Sequence, residues 1–138
     1  MGKSLFIIKP DAVSKSLIGP IISAIESAGF RIVAMKMPKL SREEAGKFYA
    51  VHRGKHFYNG LLDFISSGRI VVAVLERENC IKGLRKLVGA TDPANAAEGT
   101  IRRVFAEDGR RNAVHASDSR ENALKEIAFF FSQMEILE

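Results

Sequence analysis

An α+β fold is predicted by three features of this 138-residue chain. Short apolar runs alternate with helical repeats in the order strand, helix, strand, helices, strand, helix, strand, helix. That order makes two strand–helix–strand halves with helices segregated to one face, as in a ferredoxin-like sandwich. Such a fold has a four-stranded antiparallel sheet with helices packed on it. The competing arrangement is a doubly wound parallel sheet, which usually grips phosphate through a glycine-rich first turn. The chain contains no Gly-x-Gly.

Each element has its own reason. Residues 5–8 are a short apolar run stopped by Lys9, Pro10 and Asp11, the mark of a buried strand. Ile18, Ile21, Ile22, Ile25 and Ala28 recur at helical spacing, and Gly29 follows as a stop. Pro20 is tolerated there only in the first turn, so this helix starts near Ile18 or Gly19. Residues 30–37 alternate with β-branched side chains and read as a second strand ended by Pro38. Ser41 and Glu44 form a capping-box pattern opening a helix through about Val51. Residues 57–67 give another helix, with an apolar face of Leu61, Leu62, Phe64 and Ile65 ended by Gly68. Residues 70–75 are the strongest strand, a continuous β-branched run, and residues 79–88 are helical up to Gly89. Small, turn-forming residues fill 89–99, a loop of the kind that carries binding groups on a rigid scaffold. A short helix over 100–105, a fourth strand over 112–116 and a final helix over 119–131 complete the order. No repeat or linker divides the chain, so residues 1–138 are expected to form one domain.

Composition narrows the function class. With 46% hydrophobic and 27% charged residues, the chain is too apolar for disorder and too interrupted for a membrane protein. One cysteine excludes an internal disulfide framework and favours a reducing compartment. The amino-terminal apolar run is too short for a signal peptide, and Phe6 stands where myristoylation wants Ser or Thr. A cytoplasmic location is the expectation, with no membrane partner. The net charge of +5 favours an anionic partner without naming it.

If phosphates bind, side chains must hold them, because G-x-x-x-x-G-K-[ST] is also absent. Lys9, Arg85, Arg102, Arg103, Arg110 and Arg111 are the candidates, since converging guanidinium groups clamp phosphate oxygens in pairs. Taken singly, each arginine reads better as solvated surface, and Arg102 and Arg103 stand out by bordering the small-residue loop. His52 and His56 stand four apart but have Gly54 between them and no third ligand nearby, a poor zinc pattern. His115 lies at a strand end among small residues, where imidazole serves as base, ligand or nucleophile. A buried hydrogen-bonded histidine fits the pattern as well. Cys80 reads as packing, and Phe129, Phe130 and Phe131 cannot share one helix face. An RNA-binding module of this fold stacks bases on strand aromatics, and here the two central runs carry only Phe30.

The segment Asn112-Ala113-Val114-His115-Ala116-Ser117-Asp118-Ser119 closely resembles the N-x-x-H-G-S-D signature of nucleoside diphosphate kinases. Ile8-Lys9-Pro10-Asp11-Ala12-Val13, Ser67-Gly68-Arg69-Ile70-Val71-Val72, Gly89-Ala90-Thr91-Asp92-Pro93 and Gly99-Thr100-Ile101-Arg102 support it, in order along the whole chain. The resemblance implies that His115 takes the γ-phosphoryl group of a nucleoside triphosphate as a pros-phosphohistidine. A nucleoside diphosphate then receives it, in ping-pong fashion. It implies that Glu126 accepts a hydrogen bond from the other ring nitrogen, supported by Ser117, and that Tyr49 stands beside the histidine. Lys9, Arg85, Thr91 and Arg102 map onto phosphate ligands, Asn112 onto a sugar contact and Phe57 onto the ring that stacks on the base.

The family uses Mg2+ held mainly by substrate phosphates, which implies no metal-ligating protein residue. Members are homo-oligomers, so a homotetramer or homohexamer is implied, with nucleic acid at most a secondary partner. This chain departs from the pattern at Ala116, in place of the signature glycine, and at Arg103, Val104 and Arg110. Lys55-His56-Phe57-Tyr58 also stands where many members have R-P-F-F.

Overall fold

The computed structural model describes residues 2–136. Strand β1 (Gly2–Ile8) runs antiparallel to β3 (Val71–Arg77), in register from Gly2 opposite Arg77 to Ile8 opposite Val71. Its other edge pairs antiparallel with β4 (Val114–Ala116), and β2 (Arg31–Lys36) flanks β3 through a bulge between Ile32 and Ala34. The sheet order is β2-β3-β1-β4, with antiparallel pairing throughout. This is the expected four-stranded ferredoxin-like arrangement and not the parallel alternative.

Helices cover both faces of the sheet, however, and not one. Phe6, Ile8, Val71, Ala73 and Leu75 face a layer built from α2 (Ile18–Ser27), α5 (Cys80–Val88) and α6 (Ile101–Phe105). Leu5, Ile7, Val72 and Val74 alternate with them and face α3 (Arg42–Phe48), α4 (Tyr58–Ile65) and α7 (Arg120–Phe130). The physical reason lies in the strands themselves. A strand covered on one side alternates apolar with polar residues, whereas 5–8 and 71–75 are apolar without interruption.

Local chemistry sets the boundaries. Ser41 and Glu44 close the capping box at the start of α3, and Ser119 Oγ accepts the Asn122 N–H at the start of α7. Pro20 sits in the first turn of α2. The stop after β1 is itself a helix start: α1 (Pro10–Ser14) has Pro at its first position, where a missing N–H costs no hydrogen bond. The fourth strand is shorter than 112–116 because Ala113 is left-handed at φ 71°, which keeps Asn112 and Ala113 out of the ladder. The helix expected through Val51 ends at Phe48, with a 3₁₀ turn following over Ala50–His52.

Because Leu75 is fully buried in the α2–α5 layer, Leu75→Ala is expected to cost about 2–5 kcal/mol of stability. Urea unfolding monitored by circular dichroism measures that loss.

Candidate active site

His115 is the middle residue of β4, opposite Ile7 in the register with β1. Its neighbours Val114 and Ala116 point into the α2–α5 layer, so strand alternation turns His115 to the face that α7 covers. There Glu126 of α7 meets it, with His115 Nε2 and Glu126 Oε1 2.8 Å apart. A carboxylate offers only lone pairs, so the pairing puts the ring proton on Nε2 and leaves Nδ1 as the free base. Ser117 Oγ donates to the same Oε1 at 2.7 Å while accepting the Leu5 N–H at 3.1 Å, which ties the pair to the central strand. Phe48 stands edge-on to the imidazole with ring centres 5.8 Å apart.

Cations gather on the adjoining side. Lys9 follows the last residue of β1 and is only 7% exposed, its Nζ donating to Asn112 Oδ1 at 2.8 Å. Burial, and then the charge of Arg102, lower its pKa to about 8, while the charge of Asp11 acts in the opposite direction. Arg102, on α6, donates from Nη2 to the Val114 carbonyl at 2.9 Å and from Nη1 to that of Gly89 at 3.2 Å. Burial, and then Arg85, lower its pKa to about 10. Arg85, on α5, reaches the Ala116 carbonyl at 3.4 Å. Two buried positive charges, Lys9 and Arg102, with exposed Arg85 acting on Arg102, make a site that an anion relieves.

These groups line one cavity of about 640 Å³, together with Tyr49, Thr91, Asn112, His115 and Glu126. Tyr49 caps the C-terminus of α3 and is buried, and burial together with the charge of Glu126 pushes its pKa upward, keeping the phenol a proton donor. Ser117 lies beneath the wall and acts through Glu126. Phe57, just ahead of α4, lies outside the wall, its ring 5.3 Å from that of His52, which does line the cavity. Of the ten residues to which the resemblance gives a role, eight line this cavity, Ser117 lies directly under it and Phe57 stands outside.

Sequence reasoning missed Lys47, Asp118, Asn122, Lys125 and Phe129 on the same wall. Asn122, Lys125, Glu126 and Phe129 follow one another at spacings of three, one and three on α7. That stripe signals a shared helix face once Glu126 is placed. His52 is half-buried on the wall, and the 3₁₀ turn at Ala50–His52 removes the helix that would have paired it with exposed His56. The basic pairs separate: Arg102 enters the site, while exposed Arg103 donates to the Pro93 and Ala94 carbonyls. Arg111 pairs with Asp108 at 2.7 Å.

The chain matches the family described as nucleoside diphosphate kinase over residues 2–136. It is 57% identical to a nucleoside diphosphate kinase of Nitratiruptor sp., covering 99% of this chain and 100% of that one. A protein of the same name from Chlorobium chlorochromatii is 54% identical over 99% of this chain and 98% of its own. Among solved structures, the nucleoside diphosphate kinase of Aquifex aeolicus superposes with a TM-score of 0.96 at 45% identity, covering 99% of both chains. That of Halobacterium salinarum, solved in complex with CDP, gives 0.94 at 36% identity over 99% of this chain and 91% of the other.

The lowered Lys9 pKa has a measurable consequence. A bound polyphosphate favours the charged amine, so the complex holds Lys9 protonated to higher pH than the free site, where its pKa is about 8. Affinity for inorganic tripolyphosphate is therefore highest below pH 8 and falls as the pH rises through that value. Isothermal titration calorimetry in buffers of different ionisation enthalpy is expected to record proton uptake above it.

Proposed function

The chain belongs to the nucleoside diphosphate kinase family, and we propose that His115 carries the phosphoryl group between its two nucleotide substrates. The enzyme transfers the γ-phosphoryl group of a nucleoside triphosphate to a nucleoside diphosphate. One observation carries the assignment: His115 has Nε2 committed to Glu126 and shares a cavity wall with Lys9, Arg85 and Arg102.

In the first half-reaction the Nδ1 lone pair attacks the γ-phosphorus in line. The bond to the β–γ bridging oxygen breaks, and the nucleoside diphosphate leaves with that electron pair. The imidazole acquires positive charge as the N–P bond forms, and the Glu126 carboxylate stabilises it at Nε2. Ser117 holds the carboxylate in place. In the second half-reaction a terminal oxygen of another nucleoside diphosphate attacks the same phosphorus, and the N–P electrons return to Nδ1. Lys9, Arg85 and Arg102 face the charge that spreads over the phosphoryl oxygens, and Thr91 and the Tyr49 hydroxyl offer further donors. Asn112, on the cavity wall and held by Lys9 and the Gly109 carbonyl, is the sugar contact in this reading.

Phe57 is the stacking surface for the base in this reading. A ring face accepts every base alike, which suits an enzyme of broad nucleotide tolerance. Mg2+ fits as part of the nucleotide complex. Glu126 is taken up by His115 and Ser117, and the described residues hold no group of three or more His, Cys, Asp or Glu arranged for a metal. Carried in on the nucleotide, the cation would supply charge neutralisation of the phosphates, alongside Lys9, Arg85 and Arg102.

Residues 1–138 act as one domain in this reading, supported by a family match over residues 2–136. Self-association as a homotetramer or homohexamer draws support from β2, an edge strand on which Met35 is 50% exposed. A cytoplasmic location agrees with the unpaired thiol of Cys80 and with where nucleoside phosphates are made. No helix among the described residues is long and apolar enough to cross a membrane.

Incubation with γ-labelled ATP is expected to label His115 in an acid-labile, alkali-stable form that chases onto GDP. His115→Ala is expected to abolish both label and exchange, and full exchange by that variant disproves the phosphohistidine route. Phe57→Ala is expected to raise KM for nucleotides by roughly 5- to 150-fold, the value of one stacked base, with a smaller change in kcat. Steady-state kinetics with two acceptor nucleotides measures it.

A further inference from the structure

Two residues after Lys9, Asp11 of α1 is buried outside the cavity wall, with one carboxylate oxygen engaged and the other idle. Oδ2 accepts the Ala113 N–H at 3.1 Å, while Oδ1 has no hydrogen-bond partner among the described residues. The group it holds is unusual. Ala113 is left-handed at φ 71°, and strain of this kind persists only where surrounding contacts impose it. The Ala113 carbonyl accepts the Lys9 N–H at 2.8 Å, so Asp11 and Lys9 grip the same residue from its two peptide faces. The turn so fixed sets the direction of Asn112, whose Oδ1 receives Lys9 Nζ and whose carbonyl receives Arg102 Nε at 3.4 Å.

We propose that Asp11 is a positioning residue for phosphoryl transfer. Its carboxylate clamps the left-handed turn at Ala113 and supplies the negative charge that keeps Lys9 an ammonium. The idle oxygen is the reason to assign a role to the charge. A hydrogen-bond clamp alone needs a single acceptor, and a carboxylate is costly to bury unless its charge is used. Lys9 has need of it. It faces Arg102 from α6, and the same cavity wall carries Arg85 of α5, Lys47 of α3 and Lys125 of α7. On that wall Glu126 is engaged by His115 and Ser117, and Asp118 accepts from Asn122 Nδ2 at 2.7 Å, so Asp11 is the acidic group acting on Lys9. This inference rests on the kinase reading of the cavity.

Asp11→Asn separates the two tasks, because the amide oxygen still accepts the Ala113 N–H but carries no charge. Its kcat at pH 6.5 is expected to stay within about threefold of the parent, since Lys9 remains protonated there. The alkaline limb of kcat/KM, near pH 8 in the parent, is expected to move to lower pH by about half a unit or more. Asp11→Ala loses the clamp as well, and its kcat/KM is expected to fall at least about tenfold at every pH. A purely structural role lowers the melting temperature of both variants and leaves the limb where it was.

The same titration is read without catalysis from the pH dependence of Lys9 acylation, followed by mass spectrometry in parent and Asp11→Asn. Failure of the kinase reading appears separately, as absence of exchange in the parent. The proposal is overturned by an Asp11→Asn protein in which Lys9 acylation titrates as in the parent. It is overturned equally by a folded Asp11→Ala enzyme that keeps the parent's kcat/KM.

Discussion

The site hangs from β1, one of two central strands that hydrogen-bond on both edges and pack on both faces, and the one that pairs with the strand of His115. Leu5, Phe6, Ile7 and Ile8 are each fully buried, and β3 and β4 take their register from that strand. Burial on two sides fixes the register, because a shift by one residue would exchange the side chains of the two layers. The reactive groups are placed by the same strand. Lys9 continues it, Ser117 is anchored to Leu5, and His115 stands opposite Ile7. His115 and a principal cation of the cavity are thus set by a single rigid element, which is what the proposed in-line attack requires.

The electrostatics of the cavity follow from this placement. Water solvates an exposed lysine, but Lys9 has given up most of its water for one amide oxygen and a nearby guanidinium. Arg102 spends its donors on carbonyls of Asn112, Val114 and Gly89, which neutralise nothing and leave its full charge available. The cavity is therefore preorganised in the sense that matters for transfer of an anionic group. Its dipoles and charges are in place before substrate arrives, and little reorganisation accompanies the reaction.

Much of this was legible in the residues, and the exceptions have physical causes. The strand–helix order and the capping box at Ser41 are local signals, and both hold in the structure. The uninterrupted apolar runs stated that β1 and β3 are covered twice, yet the order of elements alone suggested a single helical layer. The α7 stripe of Asn122, Lys125 and Phe129 became readable only once Glu126 was tied to His115, since polar helix faces look alike in sequence. Phe57 marks the other limit. A motif places it by analogy, while the structure sets it beside His52 and outside the wall, a relation no spacing encodes. Left-handed Ala113 was invisible as well, because alanine carries no propensity for that conformation and tertiary contacts impose it.

The short length of β4 has a consequence of its own. Three residues on an outer edge form too brief a ladder to guard their own alignment, and a slip by one position would send the imidazole into the α2–α5 layer. Side chains do the guarding instead. Arg102 holds the Val114 carbonyl, Asp11 the Ala113 amide and Ser117 the Leu5 amide, so the strand of His115 is pinned at each end by a polar rivet. Alignment of the reactive strand is thus stored in three side chains remote from one another along the chain. Each side chain adds a polar restraint to the register that the burial of Val114 and Ala116 already favours.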